Sequence, residues 1–161
     1  MDKINFKKLL LYISIILVIF LLDRISKLYV LSVLEEIGNV DIKINSFLNI
    51  ILVWNSGIGF GLLSFEKPFI YDFITFFIKI INIIILYLVF KSKDIRAYFF
   101  IIILGGSLGN LFDRVFYKAV PDFIDLNYND YHWFIFNIAD IFITIGIICL
   151  IFIELMNYKK G

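Results

Sequence analysis

The chain has 161 residues, of which 61% are hydrophobic and 19% aromatic, and its formal net charge is +1. Soluble domains average about 45–50% apolar residues, and a charge near zero gives no bulk attraction to nucleic acid. This composition excludes a sizeable soluble domain, gives no sign of a nucleic-acid partner, and predicts a single integral membrane domain over residues 1–161. With one cysteine, Cys149, and one histidine, His132, neither a disulfide nor an ordinary zinc site is expected, and no bound metal or cofactor is predicted.

The hydropathy pattern predicts four transmembrane helices. The first apolar run follows several lysines and imitates a secretory signal, but it leads into Asp23 and Arg24 without a small-residue cleavage site. We therefore expect it to be a retained helix. Between the first two spans, partial alternation of apolar residues over 40–54 predicts a β-ribbon on the membrane surface. The predicted spans are residues 9–31, 68–90, 97–116 and 136–156.

The basic residues predict the orientation of these spans. Eight of them lie on one side of the four-span arrangement: Lys3, Lys7, Lys8, Lys91, Lys93, Arg96, Lys159 and Lys160. The positive-inside rule then places both termini in the cytoplasm and makes residues 118–135 an outer loop. Lys79 lies near the middle of the second span, where we expect it to extend toward the interface or to pair with Asp72, two turns away.

Five aspartates lie inside or at the edges of the apolar segments: Asp23, Asp113, Asp122, Asp125 and Asp140. A carboxylate at bilayer depth is costly unless it is paired, protonated or in a wet cavity, so such residues often mark function. Asp122 and Asp140 both approach the predicted outer face. Two close carboxylates share one proton, so the neutral one can polarise a carbonyl while the ionised one activates water. Their spacing leaves open whether they form this dyad or merely cap helices, and Asp125 is expected to be a loop residue outside it.

Several polar residues are predicted to lock the helices together. Asp23 and Lys27 are four residues apart on one helix face, which favours an ion pair. Gly105 and Gly109 form a small-xxx-small face that permits close helix packing. Next to this face lie Asn110, Asp113 and Arg114, which form either a structural network or a binding site for a substrate's backbone.

Other features give weaker indications. The segment from Asn55 to Gly61 has glycines at alternate positions, which is typical of a flexible loop and resembles no phosphate-binding loop. Ser26 and Lys27 are adjacent and do not face each other on a helix, which weakens a Ser-Lys mechanism. His132, between Tyr131 and Trp133, is expected to belong to an interfacial aromatic belt.

Taken together, five motifs resemble the lipoprotein signal peptidase (signal peptidase II) family and occur in that family's order. They are Asp23-x-x-Ser26-Lys27, Asn55-x-Gly57-x-x-Phe60-Gly61, Gly109-Asn110-x-x-Asp113-Arg114, Val120-x-Asp122-Phe123-Ile124-Asp125 and Phe136-Asn137-Ile138-Ala139-Asp140. The chain departs from the family at Ile58-Gly59, where small alanines are usual. That departure bears on the rigidity of the loop and on inhibitor fit.

The resemblance implies an all-α membrane aspartic protease with four helices and a small outward-facing β-cradle in the bacterial cytoplasmic membrane. Its substrates would be prolipoproteins whose cysteine carries diacylglycerol, cleaved just before that cysteine, and globomycin-type inhibitors would occupy its site. A monomer in contact with membrane lipid is expected. The resemblance assigns the dyad to Asp122 and Asp140, and assigns substrate binding or support to Asn55, Gly57, Asn110, Asp113, Arg114, Asn137, Asp23 and Lys27.

Two alternatives differ from this interpretation in kind. Intramembrane charges also line the paths of channels and transporters, and in such a protein Asp→Asn changes would have graded effects on conduction. A lipid-modifying enzyme could instead bind Mg²⁺ through Asp113, Asp122, Asp125 and Asp140. Activity that survives a chelator would exclude the second alternative.

Overall fold

The computed structural model describes residues 5–57, 68–128 and 131–158. These residues form four helices and four strands: α1 (Phe6–Ile37), β1 (Asp41–Lys43), β2 (Leu48–Asn55), α2 (Pro68–Lys91), α3 (Arg96–Phe116), β3 (Val120–Tyr128), β4 (Tyr131–Phe136) and α4 (Ile138–Tyr158). The four predicted helices are confirmed. The bounds differ most in α1, which continues to Ile37 beyond the predicted end at residue 31.

All four helices are long and apolar enough to cross a membrane. Helix α3 lies at the centre, where it packs against α1, α2 and α4. In its most apolar stretch 44% of the residues are buried, against 17–22% in the other three helices. The outer helices leave large apolar side chains uncovered, such as Phe69 and Ile83, which are 80% and 67% exposed. Lipid therefore covers these faces, because the exposure of so large an apolar surface to water would be unfavourable.

Glycines allow α3 to approach its neighbours closely. A Cβ atom at Gly105 would lie 3.0 Å from the Ile19 side chain on α1, and one at Gly109 would lie 2.6 Å from the Asp23 carboxylate on the same helix. On the α4 side, a Cβ at Gly106 would lie 2.5 Å from the carbonyl oxygen of Ala139. The predicted close-packed face is confirmed, and it is what brings the polar groups of α1, α3 and α4 together.

A four-stranded antiparallel sheet lies at the ends of the helices, in the order β1-β2-β3-β4. The predicted ribbon over residues 40–54 corresponds to β1 and β2. The segment over residues 118–135, which was expected to be an outer loop, is not irregular, because most of it forms the paired strands β3 and β4. Strand β3 is buried over most of its length and contains Pro121, so it lacks the alternation of polar and apolar residues by which a strand is recognised.

The C-terminal part of α1 supports the sheet. Val30 of α1, Val40 and Phe123 of β3 form one buried apolar cluster. Strand β3 follows α3 after a short turn, and β4 leads directly into α4. The sheet thus joins the end of α3 to the start of α4, and this fixes the positions of Asp122 on β3 and Asp140 on α4.

The expected pairing of Lys79 with Asp72 does not form. Lys79 is exposed on α2, and the Asp72 carboxylate instead lies 3.9 Å from the Lys118 ammonium. Residues seven apart on a helix are about 10 Å apart along its axis. Lys118, in the turn after α3, is closer.

Candidate active site

Asp140 is held in place by the start of α4. The backbone N–H of Asp140 donates to Asn137 Oδ1 at 3.1 Å, and the backbone N–H of Asn137 donates to Asp140 Oδ2 at 3.2 Å. This reciprocal pair is a capping box, which satisfies two backbone donors that a helix start leaves free. The sequence Asn-x-x-Asp therefore both begins the helix and fixes the orientation of the Asp140 carboxylate.

Asp122 reaches the same point from β3. The side-chain amide of Asn137 donates to Asp122 Oδ1 at 2.6 Å, so Asn137 contacts both carboxylates. On the other side, Asn55 Nδ2 donates to Asp122 Oδ2 at 2.8 Å. Asn55 is itself oriented by the backbone N–H of Gly57, which donates to its Oδ1 at 2.8 Å. Asp122 and Asp140 are 1% and 6% exposed, so both carboxylates are withdrawn from bulk water.

Asn110 connects Asp140 to a second group of buried charges. Its amide donates to Asp140 Oδ1 at 2.8 Å, and its Oδ1 accepts a hydrogen bond from Lys27 Nζ at 2.8 Å. Lys27 is fully buried and forms the predicted ion pair with Asp23, at 2.8 Å. It also contacts Asp113 at 2.6 Å. The lysine thereby fixes which end of the Asn110 amide faces the carboxylate of Asp140.

Arg24 was not expected at the site. Its guanidinium pairs with the remaining carboxylate oxygen of Asp113 and lies 5.1 Å from the centre of the Phe112 ring. The sequence contained one indication, an arginine next to Asp23 in an apolar run. Asp23, Arg24, Lys27 and Asp113 together contribute two positive and two negative charges, so this buried group is electrically balanced.

A cavity of about 180 Å³ opens beside the two carboxylates. It is lined by residues of α2, α3, α4 and the sheet: Asn55, Ile78, Asn110, Arg114, Val120, Asp122, Asp140, Ile143 and Thr144. Burial, followed by the negative charge of Asp140, raises the pKa of Asp122 to about 7. A carboxyl group with this pKa holds a proton for a large fraction of the time at neutral pH, as an acid catalyst must.

Arg114 lies in the wall of this cavity. Its guanidinium donates to the carbonyl oxygen of Gly57 and lies 5.7 Å from the centre of the Tyr71 ring. The Tyr71 hydroxyl donates to the Arg114 carbonyl oxygen at 2.9 Å. The contact with Gly57 ties the start of the glycine-rich segment to α3. The rest of that segment, including Ile58 and Gly59, lies outside the described residues.

Contrary to expectation, Asp125 does not lie in a loop, and it has a partner in His132. Asp125 belongs to β3 and is fully buried, and its carboxylate accepts from Asn127 Nδ2 at 3.1 Å. His132 Nδ1 lies 2.8 Å from the same carboxylate oxygen, so the two side chains form a pair. The contact between the two residues was missed because β3 and β4 were not recognised as a paired hairpin.

The carboxylates suggested as magnesium ligands have separate partners. Asp113 pairs with Arg24 and Lys27, whereas Asp125 pairs with His132. In the described part of the chain, no group of three or more His, Cys, Asp or Glu side chains is arranged to hold a metal ion. The geometry brings together Asp122 and Asp140 but gives no support to a site built from four aspartates.

Known proteins resemble this chain over nearly its whole length. The family described as signal peptidase (SPase) II matches residues 15–156. A lipoprotein signal peptidase of Pelagibacter ubique (strain HTCC1062) is 52% identical, over 99% of this chain and 97% of the relative. One from Anaplasma phagocytophilum (strain HZ) is 40% identical, over 96% and 97%. A solved bacterial membrane enzyme, obtained by the in meso method at 1.9 Å resolution, superposes with a TM-score of 0.69 at 31% identity, over 96% and 97% of the two chains.

Four membrane-spanning helices and the matching family define an aspartic peptidase embedded in a membrane. The match covers most of the chain, and the relatives are aligned almost from end to end. The chain belongs to the signal peptidase II family.

Proposed function

We propose that Asp122 and Asp140 are the catalytic carboxylates with which this signal peptidase cleaves prolipoproteins. The chain removes signal peptides from such precursors, as its family and its relatives' names indicate. We infer further that the substrate's cysteine already carries diacylglycerol and that cleavage falls just before it. The observation that carries the proposal is Asn137, whose backbone and side chain donate to the two carboxylates at once.

The two carboxylates have different surroundings, which suggests their roles. Asp140 lies in the first turn of α4 and accepts from the backbone of Asn137, and a helix N-terminus favours a negative charge. Asp122, with its pKa raised to about 7, is the better holder of the shared proton. We therefore assign the base to Asp140 and the acid to Asp122.

The reaction then needs no group beyond these side chains and water. Asp140 takes a proton from water while the water oxygen bonds to the scissile carbonyl carbon, and Asp122 donates its proton to the carbonyl oxygen. As the tetrahedral intermediate collapses, the C–N bond breaks and the leaving nitrogen takes the proton held by Asp140. The hydroxyl proton returns to Asp122, which restores the starting state.

The remaining site residues would orient this chemistry. Asn55 and Asn137 donate to Asp122, while Asn110 donates to Asp140, so these amides hold each carboxylate at a fixed angle. Arg114 lines the cavity and donates to the carbonyl oxygen of Gly57, and we propose that these two residues hold the substrate's backbone. Lys27 donates to Asn110, and Asp23 and Asp113 in turn hold the Lys27 ammonium in place.

A lipid-modified precursor is itself anchored in the bilayer, so we propose that it enters sideways between helices. The basic residues favour cytoplasmic termini, which would put the sheet and the cavity near the outer face of the bacterial cytoplasmic membrane. We expect a monomer in contact with membrane lipid, and we expect globomycin-type inhibitors to bind in the same cavity.

The decisive test is incubation of the purified protein with a diacylated prolipoprotein, with mass spectrometry of the products. We expect one cut immediately before the modified cysteine, unaffected by EDTA. An intact precursor, or a cut elsewhere, would contradict the proposed function. Activity that disappears with EDTA and returns with Mg²⁺ would favour the metal-dependent alternative.

A further inference from the structure

Helix α2 carries an unexplained polar residue deep in the membrane. The side of α2 that is buried contains Tyr71, Thr75, Asn82, Ile85 and Val89, spaced as residues of one helix face are. Asn82 is 6% exposed and has no part in the contacts of the two carboxylates. A polar residue inside a transmembrane span is expensive, which makes it a candidate for function.

The orientation of the Asn82 amide is fixed by its own helix. Its Nδ2 donates to the carbonyl oxygen of Ile78 at 2.9 Å. Because a carbonyl can only accept, the nitrogen must face it, and Oδ1 must point elsewhere. Oδ1 is buried and lacks a hydrogen-bond partner in the part of the chain that the structure describes. Leaving a buried acceptor unpaired is costly, and native proteins keep few such groups.

The position of Asn82 relates it to the cavity. Ile78 lines the cavity beside the carboxylates, and Asn82 lies one helical turn, about 5 Å, closer to the Lys91 end of α2. Ile85, a further turn along, packs into an apolar cluster with Ile103 and Leu104. Asn82 is therefore a polar group on α2 between a residue of the cavity lining and the apolar cluster around Ile85.

A bound signal peptide has a need that Asn82 can meet. Its residues before the scissile bond lead from the cavity toward the bilayer interior, and they must be extended where the carboxylates act. Extension frees backbone N–H groups that a helix would have satisfied, and an unpaired one in hydrocarbon costs several kcal/mol. An extended chain advances about 3.3 Å per residue, so the distance of one helical turn corresponds to about two residues.

We propose that Asn82 Oδ1 accepts a hydrogen bond from a substrate backbone N–H about two residues before the scissile bond. This inference rests on the proposed function and adds a substrate-binding residue on α2. The contact is to the backbone, so it would serve signal peptides of different sequence. It would favour substrates that are already unwound at this depth.

The first test uses the full-length enzyme in detergent and the variant Asn82→Leu. We expect KM for the diacylated precursor to rise about fivefold, with a smaller change in kcat and a melting temperature equal to or above that of the wild type. Asn82→Ala, which removes the acceptor without adding volume, should raise KM similarly. Ile85→Leu, a change on the same face without loss of a polar group, should leave KM unchanged. Wild-type KM in both Asn82 variants would overturn the inference.

The second test removes the donor from the substrate. Precursors are made in which an ester oxygen replaces the backbone N–H at each of the last three residues before the scissile bond, one at a time. At one position, the wild type should lose about fivefold in kcat/KM while Asn82→Leu loses nothing further. Equal losses in both enzymes at every position would overturn the inference alone. A wild type that leaves the unmodified precursor intact would overturn the proposed function and this inference with it.

Discussion

Two pairs of buried aspartates lie side by side in this protein, and they differ in what compensates their charge. Asp23 and Asp113 contact the cations Lys27 and Arg24, with which they form a balanced group between α1 and α3. Breaking such a group is costly because a buried charge is left without its partner. Because each of these carboxylates contacts at least one cation, we expect their role to be structural, namely to join the two helices.

Asp122 and Asp140 have different partners. Within the described residues, the hydrogen bonds that reach them come from amides of Asn55, Asn110 and Asn137, and none comes from a lysine or arginine. Amides orient a carboxylate but supply no full positive charge. Two such groups close together cannot both ionise easily, and the proposed mechanism requires them to share one proton. The comparison teaches that the partners of a buried carboxylate, more than its burial, separate a structural group from a chemical one.

The largest effect should follow from removing the shared proton. Asp122→Asn and Asp140→Asn are nearly isosteric changes, but an amide cannot transfer the proton. Each should lower kcat by more than about a thousandfold, and the double variant should be little worse, because the two residues act as one unit. Cleavage of the diacylated precursor measures the rate, and thermal unfolding in detergent should stay near that of the wild type.

Asp125→Asn is the matched control for these two variants. Asp125 is as deeply buried, but its carboxylate faces His132 and Asn127. We expect cleavage to persist while stability falls by about 1–3 kcal/mol, because one buried hydrogen bond is lost. An inactive Asp125→Asn beside an active Asp122→Asn would mean that the catalytic role has been assigned to the wrong pair of carboxylates.

The next largest effect should be a loss of stability when the charged group between α1 and α3 is broken. Asp113→Asn leaves Arg24 and Lys27 with one carboxylate between them, and we expect a loss of about 3–5 kcal/mol in the free energy of unfolding. Asp72→Asn is the comparison, since the Asp72 side chain is 70% exposed and its pairing with Lys118 is long. That change should cost less than about 0.5 kcal/mol. Equal stabilities of the two variants would mean that the charges between α1 and α3 do not hold the helices together.

A smaller loss of stability should follow from replacing Gly109, which leaves room for the Asp23 side chain. In Gly109→Ala the new Cβ would meet the Asp23 carboxylate at 2.6 Å, so α1 and α3 must separate or the ion pair must shift. We expect a loss of about 1–3 kcal/mol. Gly105→Ala should cost less, because its Cβ would meet the Ile19 side chain at 3.0 Å. Thermal unfolding of both variants checks this prediction. A larger loss in Gly105→Ala than in Gly109→Ala would mean that the tighter contact between α1 and α3 lies at Gly105.

The features that could be predicted from the sequence are those that depend on residues close together in the chain. The four helices follow from hydropathy, and the Asp23–Lys27 pair follows from helix periodicity. The capping box at Asn137 can also be read from Asn-x-x-Asp, but its contact with Asp122 depends on strand β3, which pattern alone did not reveal. Arg24 and Asn82 were missed for the same reason, because only packing against α3 shows that these polar groups are buried.

The smallest effect should appear in the pH dependence of cleavage. If Asp122 is the acid, activity falls as the pH rises through about 7, because ionisation removes the proton that it must donate. The hydrogen bond from Asn55 stabilises the ionised form and so lowers this pKa. Asn55→Ala should therefore raise the pKa and move the alkaline limb of kcat/KM upward by about half a pH unit. Asp72→Asn, which changes a carboxylate that is 70% exposed, should leave the limb in place. An unshifted limb in Asn55→Ala would assign the proton to Asp140, because Asp122 would then be ionised on both sides of the limb, and the two carboxylates would exchange roles.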